Sequence, residues 1–329
     1  MHDTSSAKPS PIALTCGDPA GVGPEIIARW LAAYPEWRDK VMPVGPRRWL
    51  DALGVGGVAV GDADFEATPG KPDARGQRVA LDAMIAAADG CRDGRFRAVV
   101  TGPVSKAGLH SIGYRHPGQT EFFAERWGGE PVMAFAGERL RVVLATWHIP
   151  FAQVPSALDR PALARAVNAA ERLARSLGAT SPRIAVCGLN PHAGEQGLLG
   201  DEEEQWMKPL LRRLRRTIPG VSEPLPGDTV FVRALKGEFD ATVAAYHDQG
   251  LAPLKAVDFD RSVNITLGLP HIRTSPDHGT AFGIAGKGVA DGGSLASAIQ
   301  MAERLATAQR RLGRPDERGS RGNTCPEMG

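Results

Sequence analysis

Three histidines of this 329-residue chain occupy the same kind of place. His148, His192 and His247 each follow a short apolar run (Arg139 to Ala145, Arg183 to Cys187 and Asp240 to Tyr246) and each stands beside Pro, Gly or Asp. Such runs read as buried strands. If the three strands are parallel neighbours, their carboxyl ends lie a few strand spacings apart on one sheet edge, where three imidazoles can converge on one ion. Three nitrogens with open positions is the form of a catalytic divalent-metal site. The blander reading is a set of hydrogen-bonded loop histidines. In "GLNPHAGEQG", residues 188–197, Asn, Pro and Gly already account for a tight turn that caps the next helix. On the residues alone both readings stand. His2, His110, His116 and His271 lack the strand-end setting, and His278 belongs to a different motif.

That motif is Asp277-His278-Gly279-Thr280-Ala281, followed by Ile284-Ala285-Gly286-Lys287-Gly288, whose glycines let a backbone approach a flat or phosphorylated ligand. The dinucleotide fingerprint G-x-G-x-x-G after a strand is absent. Gly54 to Ala59 mimics its G-x-G-x-x-A form but leads into another extended run, and there is no Walker A sequence. Two segments run from a strand into a helix start, Gly17 to Glu25 and Thr101 to Lys106, and exposed amides there attract phosphate or carboxylate, although structural turns explain them nearly as well. Lys255, Asn264 and Arg273 are polar residues on or near a stretch of core composition, Val263 to Pro270, which suggests a lined cleft; Arg273 suits a bidentate carboxylate or phosphate.

The elements that must position these groups follow an alternating rhythm. Ile12 to Thr15, Lys40 to Val44 and Ala98 to Thr101 are strand-like runs before glycine turns, and Pro161 to Leu177 keeps helical spacing with Gly178 just past its end. Parallel strands joined by helices, a mixed α/β fold, follow. A helix opening with Asp201-Glu202-Glu203-Glu204 and closing on Arg212, Arg213, Arg215 and Arg216 complements its own macrodipole on a solvated face. Residues 310–329, rich in Arg, Gly, Pro and Ser, read as a disordered tail.

Composition narrows the function classes. With 42% hydrophobic and 23% charged residues the chain is globular, and a net charge of +2 gives no broad basic surface for nucleic acid. Four scattered cysteines form no C-x-x-C pair, which fits a reducing cytoplasm, and no stretch approaches the roughly 18 apolar residues of a membrane span.

Taken in order, "GDPAGVGPEI", "TGPVSKAGL", "GQTEFFAE", "CGLNPHAGE", "YHDQGLAPLK" and "VNITLGLPHIRTSPDHGTAFGIAGKG" resemble the 4-hydroxythreonine-4-phosphate dehydrogenase family of vitamin B6 biosynthesis, over roughly residues 11 to 308. The resemblance implies two α/β/α domains with an interdomain cleft, related to isocitrate and isopropylmalate dehydrogenases. One domain would comprise residues 1–128 plus 275–309, the other residues 129–274, with the metal ligands and dimer interface. It implies a homodimer with a shared active site, a divalent metal (Zn, Mg or Co) on His148, His192 and His247, and one of these supplied across the dimer. Gln119, Thr120, Lys255, Asn264 and Arg273 match substrate-binding positions. His278, Gly279, Thr280, Ala281 and Gly286 fall in a loop similar to the one that holds NAD or NADP in isocitrate-type relatives.

The reaction so implied is oxidation and decarboxylation of 4-phosphooxy-L-threonine to 3-amino-2-oxopropyl phosphate, with Lys255 and Asp248 as the candidate catalytic residues. One departure stands out: the family reads G-H-T-E where this chain has Gly118-Gln119-Thr120-Glu121. Glutamine donates a hydrogen bond but carries no charge. Another hydroxy acid, such as a threonate 4-phosphate or a cis-dihydrodiol dicarboxylate, is therefore an alternative substrate, with the retained Thr120 and Glu121 favouring a phosphorylated one. A metal-dependent hydrolase and a non-catalytic binder are the readings from other classes.

Overall fold

The structure is a computed structural model and describes residues 9–312. Its strands are β1 (Ile12–Thr15), β2 (Val41–Gly45), β3 (Val58–Ala59), β4 (Ala98–Thr101), β5 (Val132–Ala136), β6 (Arg141–Leu144), β7 (Ile184–Cys187), β8 (Val221–Leu225), β9 (Ala241–Ala244), β10 (Val263–Leu267) and β11 (Ile272–Pro276). Two compact units divide them. The first comprises the chain up to Trp127 with His271–Glu303, the second Gly128–Pro270 with the chain from Arg304.

In the first unit the order is β3-β2-β1-β4-β11, all parallel. Ile12, Ala13 and Leu14 in β1 and Ala98 and Val99 in β4 are fully buried, as strands covered on both faces must be. The cover includes the helix Ala74–Arg92, which starts where the Asp73 side chain accepts from the Gly76 amide at 2.7 Å. It buries Val79, Ala80, Ala83, Met84 and Ala87 on one face, and the small side chains let it lie close to the sheet. Gly54 ends the helix Arg47–Leu53 in a left-handed conformation and β3 follows, so the G-x-G-x-x-A look-alike is a helix stop before a short strand.

The second unit has the order β10-β5-β6-β9-β7-β8. The expected rhythm of parallel strands holds for β6, β9, β7 and β8 but not for β5, which runs antiparallel to both β6 and β10. The cause is the short connection after β5: the Gly137 amide donates to the Leu140 carbonyl at 2.8 Å, and a turn this tight cannot make the crossover that parallel pairing needs. The Asp258 carboxylate holds that turn by accepting from the Arg139 and Leu140 amides. The helix Arg160–Ser176 starts one residue before the expected Pro161, with the Asp159 side chain accepting from the Ala162 amide. The helix expected from Asp201 instead passes through one π-helical turn, Glu203–Met207, before the α-helix Lys208–Leu214. Met133, Phe135, Val142, Leu144, Cys187, Val230, Phe231, Leu251 and Leu254 form the core beneath the sheet.

The last helix, Gly293–Leu312, runs past Arg310, where the sequence suggested a disordered tail. The remainder of that expectation, residues 313–329, lies outside the described residues. Among the described residues no helix is long and apolar enough to cross a membrane.

Asp18, in the turn after β1, is completely buried. Burial pushes its pKa up, and Asp73 adds to the rise, against the hydrogen bonds it accepts from Gln77 Nε2 at 2.6 Å and the Ala20 amide at 3.0 Å. For an acid raised above its unfolded value of 3.8, the unfolded chain ionises first. Stability from this group is therefore present below pH 3.8 and is lost as pH rises through the folded pKa. Gln77 Oε1 is buried without a partner, so after Asp18→Asn a flipped Gln77 amide can accept from the new side-chain amide. Relative to the unsubstituted chain, Asp18→Asn should gain stability between pH 4 and pH 7; urea unfolding at both values checks this, and a gap that narrows with rising pH refutes it.

Candidate active site

Strands β6, β9 and β7 are adjacent and parallel, so the loops that leave them share one sheet edge. Past the ladder, the Ala145 amide still donates to the Ala244 carbonyl at 2.9 Å. The Thr146 amide and hydroxyl both donate to the Ala245 carbonyl, at 3.2 and 2.7 Å. Gln249 continues the chain of bonds: its Oε1 accepts from the Ala245 amide at 2.7 Å and its Nε2 donates to the Gly188 carbonyl at 2.8 Å. One side-chain amide thus ties the end of β9 to the end of β7.

His148 and His247 meet at this edge, their ring centroids 5.6 Å apart. His148 sits at φ 49°, a left-handed conformation that re-aims its side chain immediately after the strand. His247 opens the helix His247–Asp258, and its Nδ1 lies 2.7 Å from Asp248 Oδ1. A carboxylate on Nδ1 fixes the tautomer that leaves Nε2 as the electron-pair donor. The two rings line a cavity of about 240 Å³ with Thr146, Trp147, Ile149, Phe151, Val154, Tyr246 and Asp248. Phe151 packs edge-on against Tyr246 with centroids 5.3 Å apart, giving the cavity an apolar wall.

His192 stands apart from this pair. It begins a run of six residues with positive φ, His192 (51°), Ala193 (52°), Gly194 (80°), Glu195 (44°), Gln196 (60°) and Gly197 (94°). Only two of the six are glycines, and a left-handed L-residue costs roughly 1–2 kcal/mol. The turn is held from below by Glu203, whose side chain is fully buried. Glu203 Oε1 accepts from the Asn190 amide at 2.8 Å and Oε2 from Asn190 Nδ2 at 2.9 Å. A Cβ on Gly194 would lie 2.8 Å from Glu203 Oε2, so only glycine fits there. Among the described residues no three His, Cys, Asp or Glu side chains are close enough to hold an ion. Of the expected trio, the fold brings two imidazoles together and leaves the third on its own exposed turn.

In the first unit, Arg273 on β11 is 4% exposed. Its guanidinium donates to Thr101 Oγ1 at 2.9 and 3.2 Å, to Gln119 Oε1 at 3.2 Å and to Ser275 Oγ at 3.1 Å. Burial lowers its pKa to about 10, against the raising influence of Tyr114 and Glu121, so it remains a cation at neutral pH. Gln119 opens the helix Gln119–Trp127, with buried Thr120 beside it, and its Nε2 reaches the Gly102 carbonyl at 3.4 Å. Tyr114 donates to the Gly118 carbonyl at 2.8 Å, fixing the approach to that helix. Lys255 and Asn264 lie in the second unit, Lys255 on the helix that His247 opens, with Nζ 5.9 Å from the Phe259 ring centroid, and Asn264 half-buried in β10.

The loop of His278, Gly279, Thr280, Ala281 and Gly286 runs along the start of the helix Gly23–Ala33. The Val22 amide donates to the Thr280 carbonyl at 2.9 Å, and the Gly286 amide donates to Glu25 Oε2 at 2.6 Å. His278 Nδ1 lies 3.0 Å from the Gly279 carbonyl. His278 Nε2 and Glu25 Oε1 are both buried without a hydrogen-bond partner. Side chains at Gly279, Gly283 or Gly288 would meet nothing within 4 Å. Open backbone beside two unpartnered polar atoms fits a ligand rich in hydroxyls, as a dinucleotide is. Sequence reasoning missed Gln249, Glu203 and Glu25 as organising residues. Gln249 stood two places from a flagged histidine, but its partner Gly188 is 61 positions away.

Comparisons with known proteins place the chain in context. A family model described as pyridoxal phosphate biosynthetic protein PdxA matches residues 39–302. A protein of Beijerinckia indica named 4-hydroxythreonine-4-phosphate dehydrogenase is 42% identical, covering 90% of this chain and 95% of that one. A crystal structure of 4-hydroxythreonine-4-phosphate dehydrogenase from Klebsiella pneumoniae superposes with a TM-score of 0.79 at 36% identity, covering 90% of this chain and 99% of that one. A terephthalate 1,2-cis-dihydrodiol dehydrogenase structure from Burkholderia xenovorans superposes with a TM-score of 0.69 at 27% identity, covering 91% and 99%.

Because Gln249 satisfies one amide and one carbonyl at the sheet edge, Gln249→Ala should cost roughly 1–3 kcal/mol in urea unfolding. The Ala245 amide should also exchange its hydrogen faster. Exchange at Ala245 unchanged from the parent chain would show that the bridge does not hold the edge.

Proposed function

We propose a reaction on one premise: the chain belongs to the pyridoxal phosphate biosynthetic protein PdxA family. It is an enzyme that uses a nicotinamide cofactor. Our reading is that it oxidises and decarboxylates 4-phosphooxy-L-threonine to 3-amino-2-oxopropyl phosphate, as a cytoplasmic homodimer. The observation that carries it beyond family membership is the pair of imidazoles, His148 and His247, oriented at one sheet edge over a small cavity.

Imidazole nitrogens suit Zn or Co, whereas Mg would draw most of its shell from oxygen; Asp248 on His247 Nδ1 is the outer partner such a ligand needs. One chain supplies two nitrogens, so the third ligand of the site is assigned to His192 of a second copy. A divalent ion held there would lower the pKa of the substrate's secondary hydroxyl and stabilise negative charge on that oxygen through both steps. NAD or NADP, held by His278, Gly279, Thr280, Ala281 and Gly286, would accept the hydride.

The chain's own groups do the rest. Arg273, a buried cation with forked donors, and Thr120, at a helix start, are assigned to the substrate phosphate. Gln119 has its amide oxygen on Arg273 and its nitrogen toward Gly102, so it shapes the guanidinium and adds no charge of its own. Lys255 and Asn264 are assigned to the carboxylate end, with Lys255 as the proton-transfer candidate. Asp248 keeps the His247 ring from rotating, which withholds its Nδ1 proton from the reaction.

Gln119 favours a second reading, a dehydrogenase of the same scaffold acting on another hydroxy acid, phosphorylated or a cis-dihydrodiol dicarboxylate. A panel of 4-phosphooxy-L-threonine, threonate 4-phosphate and a dihydrodiol dicarboxylate, each with NAD and added divalent metal, should give NADH fastest with the first. Fastest turnover of another acid establishes the second reading; NADH from none overturns both. Independently, His247→Ala should weaken zinc binding measured by calorimetry by about tenfold or more, as loss of a ligand or its outer partner does. Unchanged zinc affinity would remove His247 from the site.

A further inference from the structure

Glu25 and Arg29 lie four residues apart on the helix Gly23–Ala33, so their side chains rise from one face a single turn apart. Each grips the same loop by backbone groups of the matching polarity. Glu25 Oε2 accepts from the Gly286 amide at 2.6 Å, while Arg29 Nη1 donates to the Gly288 carbonyl at 3.1 Å and the Ala290 carbonyl at 2.8 Å. Between these grips Lys287 is exposed. The loop has no helix or strand of its own from 278 to 290, much of it faces solvent, and Gly286 and Gly288 take positive φ of 75° and 69°. A glycine-rich segment of this kind has many accessible conformers, and ordering it on ligand binding opposes affinity. Charge-assisted bonds at three backbone groups select one conformer beforehand.

We propose that Glu25 and Arg29 are a positioning clamp that holds the 278–290 loop in the form that binds the nicotinamide dinucleotide. The proposal rests on the reading of that loop as the cofactor site. Neither residue touches the reacting carbon; both act through the loop.

The test uses the full chain without substrate and has two readouts: NAD affinity by calorimetry, and trypsin cleavage after Lys287 mapped by mass spectrometry with and without NAD. NAD should slow that cleavage in the parent chain. Arg29→Ala and Glu25→Ala should weaken NAD binding about tenfold, equivalent to roughly 1.4 kcal/mol, and speed cleavage, with the thermal midpoint little changed. Glu25→Gln keeps a carbonyl oxygen for the Gly286 amide and should restore most of the affinity; Arg29→Lys should restore part. If NAD protects the parent chain but Arg29→Ala and Glu25→Ala bind NAD and resist trypsin like it, the clamp is wrong and the cofactor loop stands. If NAD gives the parent chain no protection at Lys287, the loop is not the cofactor site and the proposal falls with it.

Discussion

Backbone amides and carbonyls past Leu144, Ala244 and Cys187 have left their strand ladders, and where they find partners decides which side chains meet at the sheet edge. An unpartnered buried group costs roughly 1–3 kcal/mol, so each bond made at this edge constrains it. Thr146 pairs with Ala245, Ala245 with Gln249, and Gln249 with Gly188. His148 and His247 are carried by this network to a ring-centroid separation of 5.6 Å.

The same economy governs the first unit, with charge as the constrained quantity. Arg273 is a buried cation whose guanidinium donates to Thr101, Ser275 and Gln119, with Tyr114 and Glu121 near enough to raise its pKa against burial. Burial lowers its pKa, and the guanidinium still stays charged at neutral pH. Gln119 takes part as an acceptor, which a charged imidazolium could not do toward a guanidinium. Its presence therefore keeps the guanidinium hydrogen-bonded without setting a second positive charge beside it.

Much of the fold was legible from periodicity, and the limits have physical causes. The strands before His148, His192 and His247 announced themselves as short apolar runs, and their adjacency in the order β6-β9-β7 is what the strand-end pattern required. The antiparallel β5 was not legible, because its direction depends on a four-residue turn fastened by Asp258, more than a hundred positions away. The π turn at Glu203 escaped for a similar reason. Periodicity sees a helical face, but the turn widens only where Glu203 reaches under the His192 loop to Asn190. Gln249, Glu25 and Arg29 bond to backbone groups 61 to 261 positions distant, and backbone partners leave no trace in residue type. Residue type did reveal Arg273, whose charge within core-like sequence demanded an explanation.

Left-handed backbone at His148 and His192 joins these observations. Neither residue is glycine or asparagine, so each conformation is strained, at a cost of order 1–3 kcal/mol, and persists because surrounding bonds fix it. The strain is supported differently in the two places. His148 is held through Thr146, which belongs to the same hydrogen-bonded edge as His247, and the two rings accordingly sit together. His192 is held by the buried Glu203 and a run of left-handed neighbours, which leave it exposed. A loop that needed only to turn would not require a fully buried carboxylate beneath it or six successive residues with positive φ. Such a mount fixes where the exposed imidazole is presented, which a flexible turn would leave undefined.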